Sequence, residues 1–205
     1  MNIKHREIKK DFYLSKRQKE ILVGTILGDG NLTQHGKYFR LFVKHAAAQA
    51  ALAKWKRKEF DSITKMDLNF FKQQVKGKTY SFCQFVTLTH PEFDAYRKMF
   101  YKKKKKIVPV KINKVLNSAL SLAIWIMDDG ARDNAGMTIQ THCFSSKEVK
   151  RLQKCLKKHF KILVNTRRNK GKDILYVPKD QVKNLYQIVR EYLLPEYKYK
   201  FPLTP

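Results

Sequence analysis

Two aspartates mark the chemistry open to this chain. Asp29 closes the run Leu22-Val23-Gly24-Thr25-Ile26-Leu27-Gly28-Asp29-Gly30, and Asp129 closes Leu122-Ala123-Ile124-Trp125-Ile126-Met127-Asp128-Asp129-Gly130, 100 positions later. Each string is an apolar run ending in acid then glycine, and two in matched places point to a duplicated unit. Ser15 with Gln18 reads as a capping box, so a helix is predicted from near Lys16, with Gly30 as the left-handed residue that stops it. Asp29 then stands at the helix's carboxyl end, where the dipole is already negative and the last carbonyls lack partners. A carboxylate there costs a few tenths to about 1 kcal/mol unless a cation sits nearby. A hard divalent cation such as Mg²⁺ takes carboxylate and backbone-carbonyl oxygens together, which turns both liabilities into ligands. One such string is as well explained by a solvated acid; the pair weakens that account.

The helices that must position these acids carry their own signal. Gly24 and Gly28 are four apart and leave one face without side chains, where another helix can approach closely. Side by side about a two-fold axis, two such helices would bring Asp29 and Asp129 to neighbouring points on one surface. The second string has Ile124 and Asp128 at the glycine positions, with Ala119 and Ala123 as its small residues, so such a pair is not symmetric.

Composition points to a polyanionic partner. Lys plus Arg number 44 against 17 Asp plus Glu, a net charge of +27 that exceeds what solubility needs. Hydrophobic residues at 43% are enough for a globular core. No segment reaches the roughly 18 apolar residues of a membrane span, and the basic residues are spread along the whole chain, which disfavours a membrane partner. Cys83, Cys143 and Cys155 lack C-x-x-C spacing, and the six histidines are scattered, so neither a disulfide framework nor a zinc site is expected. Residues 1–14 form a basic leader with no apolar core, so no signal peptide is expected.

In order, the chain reads as helix, strand, helix, hairpin, helix, twice over. Tyr38–Lys44 is a predicted strand, and Ala46–Phe60 a helix with Leu52, Trp55 and Phe60 inward. Residues 68–90 form two strands about Lys76-Gly77-Lys78, and a helix starts at His90-Pro91 with Phe93, Tyr96 and Phe100 on one face. Five lysines, Lys102 to Lys106, then open the stretch assigned as linker, 102–117, between an N-terminal half (1–101) and a C-terminal half (118–205). The second half offers a helix near Ser118–Asp129 and a strand at Met137–Cys143. A helix over Ser145–Phe160 follows, with Val149, Leu152, Leu156 and Phe160 inward. A basic hairpin around Arg167–Lys172 leads to a last helix, Asp180–Leu194. The class is α+β, with helices on one face of each sheet.

The two strings resemble the paired motifs of the LAGLIDADG homing endonucleases in their single-chain form. Leu122-Ala123 keeps the opening letters, Asp29 and Asp129 occupy the penultimate acid, and the resemblance runs from about Ser15 to Pro202. It implies a pseudo-two-fold duplicated unit in which two antiparallel sheets form a DNA-binding saddle and the motif helices pack at the centre. It further implies a monomeric, intron-encoded, site-specific double-strand DNA endonuclease that cuts a long non-palindromic target. Asp29 and Asp129 would bind Mg²⁺ or Mn²⁺, with the carbonyls of Gly28 and Asp128 as further ligands. Asp128 stands where the first motif has glycine, which leaves open whether its side chain joins them. Each half ends in a helix, a basic stretch and a proline, and on this pattern Lys106 and Lys200 are the matched lysines lining the site.

Free sheet faces would read the duplex, since Arg suits guanine and Gln or Asn adenine in the major groove. The candidates are Arg40, Lys44, Lys76 and Lys78 in the first half. In the second they are Gln140, His142, Arg167, Arg168, Asn169, Lys170 and Lys172. The expected compartment is intracellular, an organelle or a prokaryotic cytoplasm. An RNA maturase acting on its own intron, and a non-catalytic DNA-binding regulator, are the competing functions; two retained helix-end acids favour cleavage over both.

Overall fold

The computed structural model describes residues 13–202, so all but the end of the basic leader lies outside the described residues. The chain forms α1 (Lys16–Leu27), β1 (Asn31–His35), β2 (Tyr38–Ala46), α2 (Ala50–Glu59), β3 (Asn69–Val75), β4 (Lys78–Val86) and α3 (Pro91–Phe100). A small hairpin of β5 (Tyr101–Lys102) and β6 (Lys105–Lys106) follows. The series then repeats as α4 (Ala119–Asp129), β7 (Gly130–Asp133), β8 (Gly136–Ile139), α5 (Ser146–Phe160), β9 (Asn165–Asn169), β10 (Lys172–Val177) and α6 (Lys179–Val189). Both four-stranded sheets are antiparallel and share one topology, β1-β2-β4-β3 and β7-β8-β10-β9. This is the expected α+β class with its internal repeat.

The residues fall into two compact units. Of the described residues, one holds those through Lys19 together with Asp29–Met99; the other holds Glu20–Gly28 and those from Phe100 on. The first sheet lies wholly in the first unit and the second sheet in the second.

Local signals account for the element ends. The Gln18 amide donates to Ser15 Oγ at 3.1 Å and the Ser15 amide to Gln18 Oε1 at 3.0 Å, the reciprocal capping box at the start of α1. Ser145 and Glu148 form another at α5. The glycines after the acids act otherwise than expected. Among the described residues the left-handed glycines are Gly36, Gly77 and Gly171, and Gly130 is extended at φ −73°, ψ 145°. The chain passes from the helix tip directly into a strand, which requires extended backbone. What Gly130 supplies is room, because a Cβ there would lie 2.6 Å from the Ile126 carbonyl oxygen.

Each sheet has a covered and an open face. In the first, Leu41, Val43 and His45 of β2 and Cys83 and Phe85 of β4 are buried, while Arg40, Phe42, Lys44, Phe82 and Gln84 keep surface. In the second, Met137, Ile139, Leu175 and Val177 are covered. The stripe of α5, Val149, Leu152, Leu156 and Phe160, is buried as its spacing predicts. Trp55 departs from expectation: it is only half-buried, and the Arg17 guanidinium stands 5.7 Å from its ring centroid. Strand β8 stops at Ile139, short of the predicted Cys143, because the chain turns there: the Phe144 amide donates to the Thr141 carbonyl at 3.0 Å. The last helix is also shorter, since α6 gives way to a 3-10 turn at Arg190–Tyr192.

Candidate active site

The end of α1 and the whole of α4 meet within the second unit, and the two glycines of α1's string make the meeting possible. A Cβ on Gly24 would lie 2.4 Å from the Ser121 carbonyl oxygen and 2.8 Å from Ile124 Cβ. A Cβ on Gly28 would lie 2.4 Å from Asp128 Oδ2. Ser121 Oγ also donates to the Glu20 carbonyl at 2.8 Å, tying the helices where they begin to run together. The face free of side chains is thus filled by the bulkier residues of the second string, and the pairing is unequal as its sequence predicts.

At the tips, two lysines hold backbone. Lys106, on β6, donates from Nζ to the Gly28 carbonyl at 2.7 Å. Lys200, in a 3-10 helix over Pro195–Lys200, donates to the carbonyls of Met127 at 2.6 Å, Asp128 at 3.3 Å and Ile126 at 3.4 Å. Lys106 keeps some exposure, whereas Lys200 is 3% exposed. A cation at each helix's carboxyl end answers both the unpaired carbonyls and the negative pole of the dipole. The two lysines therefore occupy matched places on the motif helices, and the carbonyls of Gly28 and Asp128 each accept from one of them.

The acids are placed differently. Asp29 falls in the first unit, 40% exposed at its side chain, with Oδ2 3.2 Å from Nδ1 of the fully buried His45 on β2. Asp128 is buried against Gly28. Asp129 is partly exposed, and its carbonyl accepts from the Gln140 amide at 3.0 Å. Burial pushes the Cys143 thiol up, while the charge of Lys106 opposes the rise and that of Asp129 adds to it. Within the second unit the carboxylates of Asp128 and Asp129 and the carbonyls of Gly28 and Asp128 are oxygen donors of the kind a hard divalent cation takes.

The candidate reading surfaces divide in the same way. Arg40 and Lys44 lie on the open face of the first sheet, with Lys44 Nζ donating to Gln73 at 2.6 Å and standing 4.1 Å from the Phe82 ring centroid. Lys78 shares that face by register, and Lys76 sits at the hairpin tip. In the second sheet Arg167, Asn169 and Lys172 share the open face. Arg167 donates to Asp133 at 2.7 Å and stacks 3.2 Å from the Tyr176 ring centroid. Gln140 lies just past β8 and donates to Thr138 at 3.3 Å. Arg168 points to the opposite face and donates to Asp173 at 2.9 Å, and His142 lies in the turn after β8 instead of on a strand. Lys170 is a hairpin tip. Asn69, Gln73, Tyr80 and Gln84 share the open face of the first sheet and are absent from the sequence candidates; the alternation of β3 and β4 about their turn is the signal that marks them.

The arrangement defines a duplicated α+β protein in which each half supplies one sheet with a polar open face and one helix tipped by an acid. The chain belongs to the LAGLIDADG DNA endonuclease family, which it matches over residues 19–185. It is similar to the homing endonuclease I-WcaI, solved bound to its DNA recognition sequence, with a TM-score of 0.88 and 28% identity over 96% of this chain and 90% of that one. It is 30% identical to a probable intron-encoded endonuclease 1 of Wickerhamomyces canadensis, covering 91% of this chain and 84% of the relative. It is also 28% identical to a cytochrome b mRNA maturase bI2 of Debaryomyces hansenii, over 91% of this chain and 74% of that protein. Among the described residues no helix is long and apolar enough to cross a membrane.

Proposed function

We propose that this protein is a homing endonuclease: a monomer that hydrolyses both strands of a long, non-palindromic DNA target. The observation that carries the reading is the retention of an acid at both motif-helix ends, each helix having its terminal carbonyls held by a buried or half-buried lysine. Asp29 and Asp129 would hold Mg²⁺ or Mn²⁺, with the Gly28 and Asp128 carbonyls beside them. Such an ion, when bound, supplies charge relief for the transition state and lowers the pKa of the attacking water. The chain's own work is positional. Lys106 and Lys200 fix the tip carbonyls and bring positive charge to where phosphate oxygens gather. The open sheet faces bind the duplex, with Arg40, Lys44, Gln140, Arg167, Asn169 and Lys172 foremost. The unequal halves call for unequal half-sites.

Relatives named as maturases support a second role, in which the same scaffold binds its intron's RNA. Names tied to introns and to cytochrome b mRNA also support an organelle as its compartment. Incubation with Mg²⁺ and a duplex spanning the joined exons of the host gene tests the first role. Double-strand cleavage at one site supports it, and intact DNA alongside enhanced splicing of the intron transcript replaces it with the second.

A further inference from the structure

We infer that the β5–β6 hairpin and the first turns of α5 form a cradle for the phosphate backbone of duplex DNA beside the cut, an inference that rests on the endonuclease reading. An open cleft of about 640 Å³ lies between these elements, lined by Lys102 to Lys105, Lys147 and Arg151. Glu148 is the one acid among the described residues lining it, and its charge is already engaged. Its Oε2 accepts from the Ser145 amide at 2.7 Å and from Ser145 Oγ at 2.6 Å, and its Oε1 accepts from the Val108 amide at 3.1 Å. Arg151 commits one N–H to the Val108 carbonyl at 2.7 Å, which fixes its guanidinium at the cleft wall. The excess of positive charge is therefore presented on a braced surface.

The hairpin tip adds a second observation. Lys103 sits at φ 55°, in the left-handed region that costs a residue with a Cβ roughly 1–2 kcal/mol. Glycine is the usual occupant of such a turn position. Lysine occupies the same kind of position at Lys76 (φ 50°) and Lys170 (φ 48°), the tips of the β3–β4 and β9–β10 hairpins. Strain accepted repeatedly to put an ammonium at a tip is what a surface built for anions shows.

Strand geometry ties the cleft to the site. Lys105 and Lys106 are neighbours on β6, and neighbours on a strand leave on opposite faces. Lys106 turns to the Gly28 carbonyl, and Lys105 lines the cleft. Phosphates held there belong to the duplex being cut. No aromatic residue is among the described residues lining the cleft, so it offers unstacked RNA bases no platform and favours a backbone held by charge.

The test compares the Lys102→Gln, Lys103→Gln, Lys104→Gln, Lys105→Gln combination with a charge-matched control. The control carries Lys154→Gln, Lys157→Gln, Lys158→Gln and Lys183→Gln, four exposed lysines on α5 and α6 outside the cleft. Binding to a short duplex of arbitrary sequence is followed against salt. The cleft variant should flatten the log–log slope by about 2–4, at about 0.9 for each phosphate no longer neutralised, and the control by less than about 1. Lys103→Gly, which suits the left-handed backbone, should flatten it by about 0.9 with the fold intact. Equal slopes for cleft variant and control overturn the cradle, as does a weakening confined to single-stranded RNA; either leaves cleavage by the unaltered chain standing. An unaltered chain that neither binds nor cuts duplex DNA overturns the endonuclease reading as well.

Discussion

Lys106 donates its ammonium to the carbonyl oxygen of Gly28 at 2.7 Å, one residue before the acid that ends the first motif. Lys200 makes the equivalent contact with the second motif helix, but from a far more buried position. Equal in chemistry, the two lysines should differ in what their removal costs. Lys200→Met leaves the carbonyls of a buried helix end unmet and should lower stability by about 2–4 kcal/mol. Lys106→Met, where solvent can replace the ammonium, should cost about 1 kcal/mol or less and still abolish cleavage. Thermal denaturation and a cleavage assay on both variants separate the two effects.

Asp29→Asn and Asp129→Asn should each reduce cleavage by about a hundredfold or more, with DNA affinity changed only a few-fold. The amide keeps the shape of the carboxylate but gives up the charge a divalent ion requires. Normal cutting by both variants would refute the assignment of these acids.

Gly24→Ala and Gly28→Ala should both destabilise, because each new methyl meets a packed atom at 2.4 Å. At Gly24 that atom is the backbone oxygen of Ser121, and at Gly28 the Cβ of Asp128 stands at 2.5 Å behind its carboxylate, so neither site makes room by turning a side chain. Overpacking of this kind costs typically about 1–3 kcal/mol, or some 2–12 °C in Tm for a chain of this size.

Glu148 gives the stability a defined acid limb. Burial pushes its carboxyl up, but hydrogen bonds from the Ser145 hydroxyl and amide and from the Val108 amide, with the charge of Arg151, outweigh that and hold it below 4.5. A group whose folded pKa is depressed stabilises above its unfolded value and loses that contribution as pH falls through the folded one. The unaltered chain should therefore lose Tm below about pH 4.5 more steeply than Glu148→Gln. Melting curves over that acid range decide it; parallel losses would remove Glu148 from the account.

The parts of this site that were legible in the sequence are those written in local patterns. The capping box at Ser15 and Gln18, the stripe of α5 and the side-chain-free face of Gly24 and Gly28 each depend on residues three or four apart, and each forms as its spacing predicts. What was hidden depends on strand register or on burial. His45 reaches Asp29 only because β2 folds back against β1, and no spacing marks that in advance. Arg167 and Arg168 look equivalent in a basic run, yet one residue of register sends them to opposite faces. Lys200 carries no sign of burial among 44 basic residues. The size of Trp55 suggests core, and helix geometry leaves it beside Arg17.

Glu20–Gly28 clusters with residues made about a hundred positions later, while the chain on either side of it belongs to the other unit. During synthesis the bare face of Gly24 and Gly28 must wait for α4 to leave the ribosome before Ser121, Ile124 and Asp128 can fill it. A nascent chain halted before Ser118 would lack the residues that cover this face, making the span the first place to look for chaperone capture or for aggregation of truncated products.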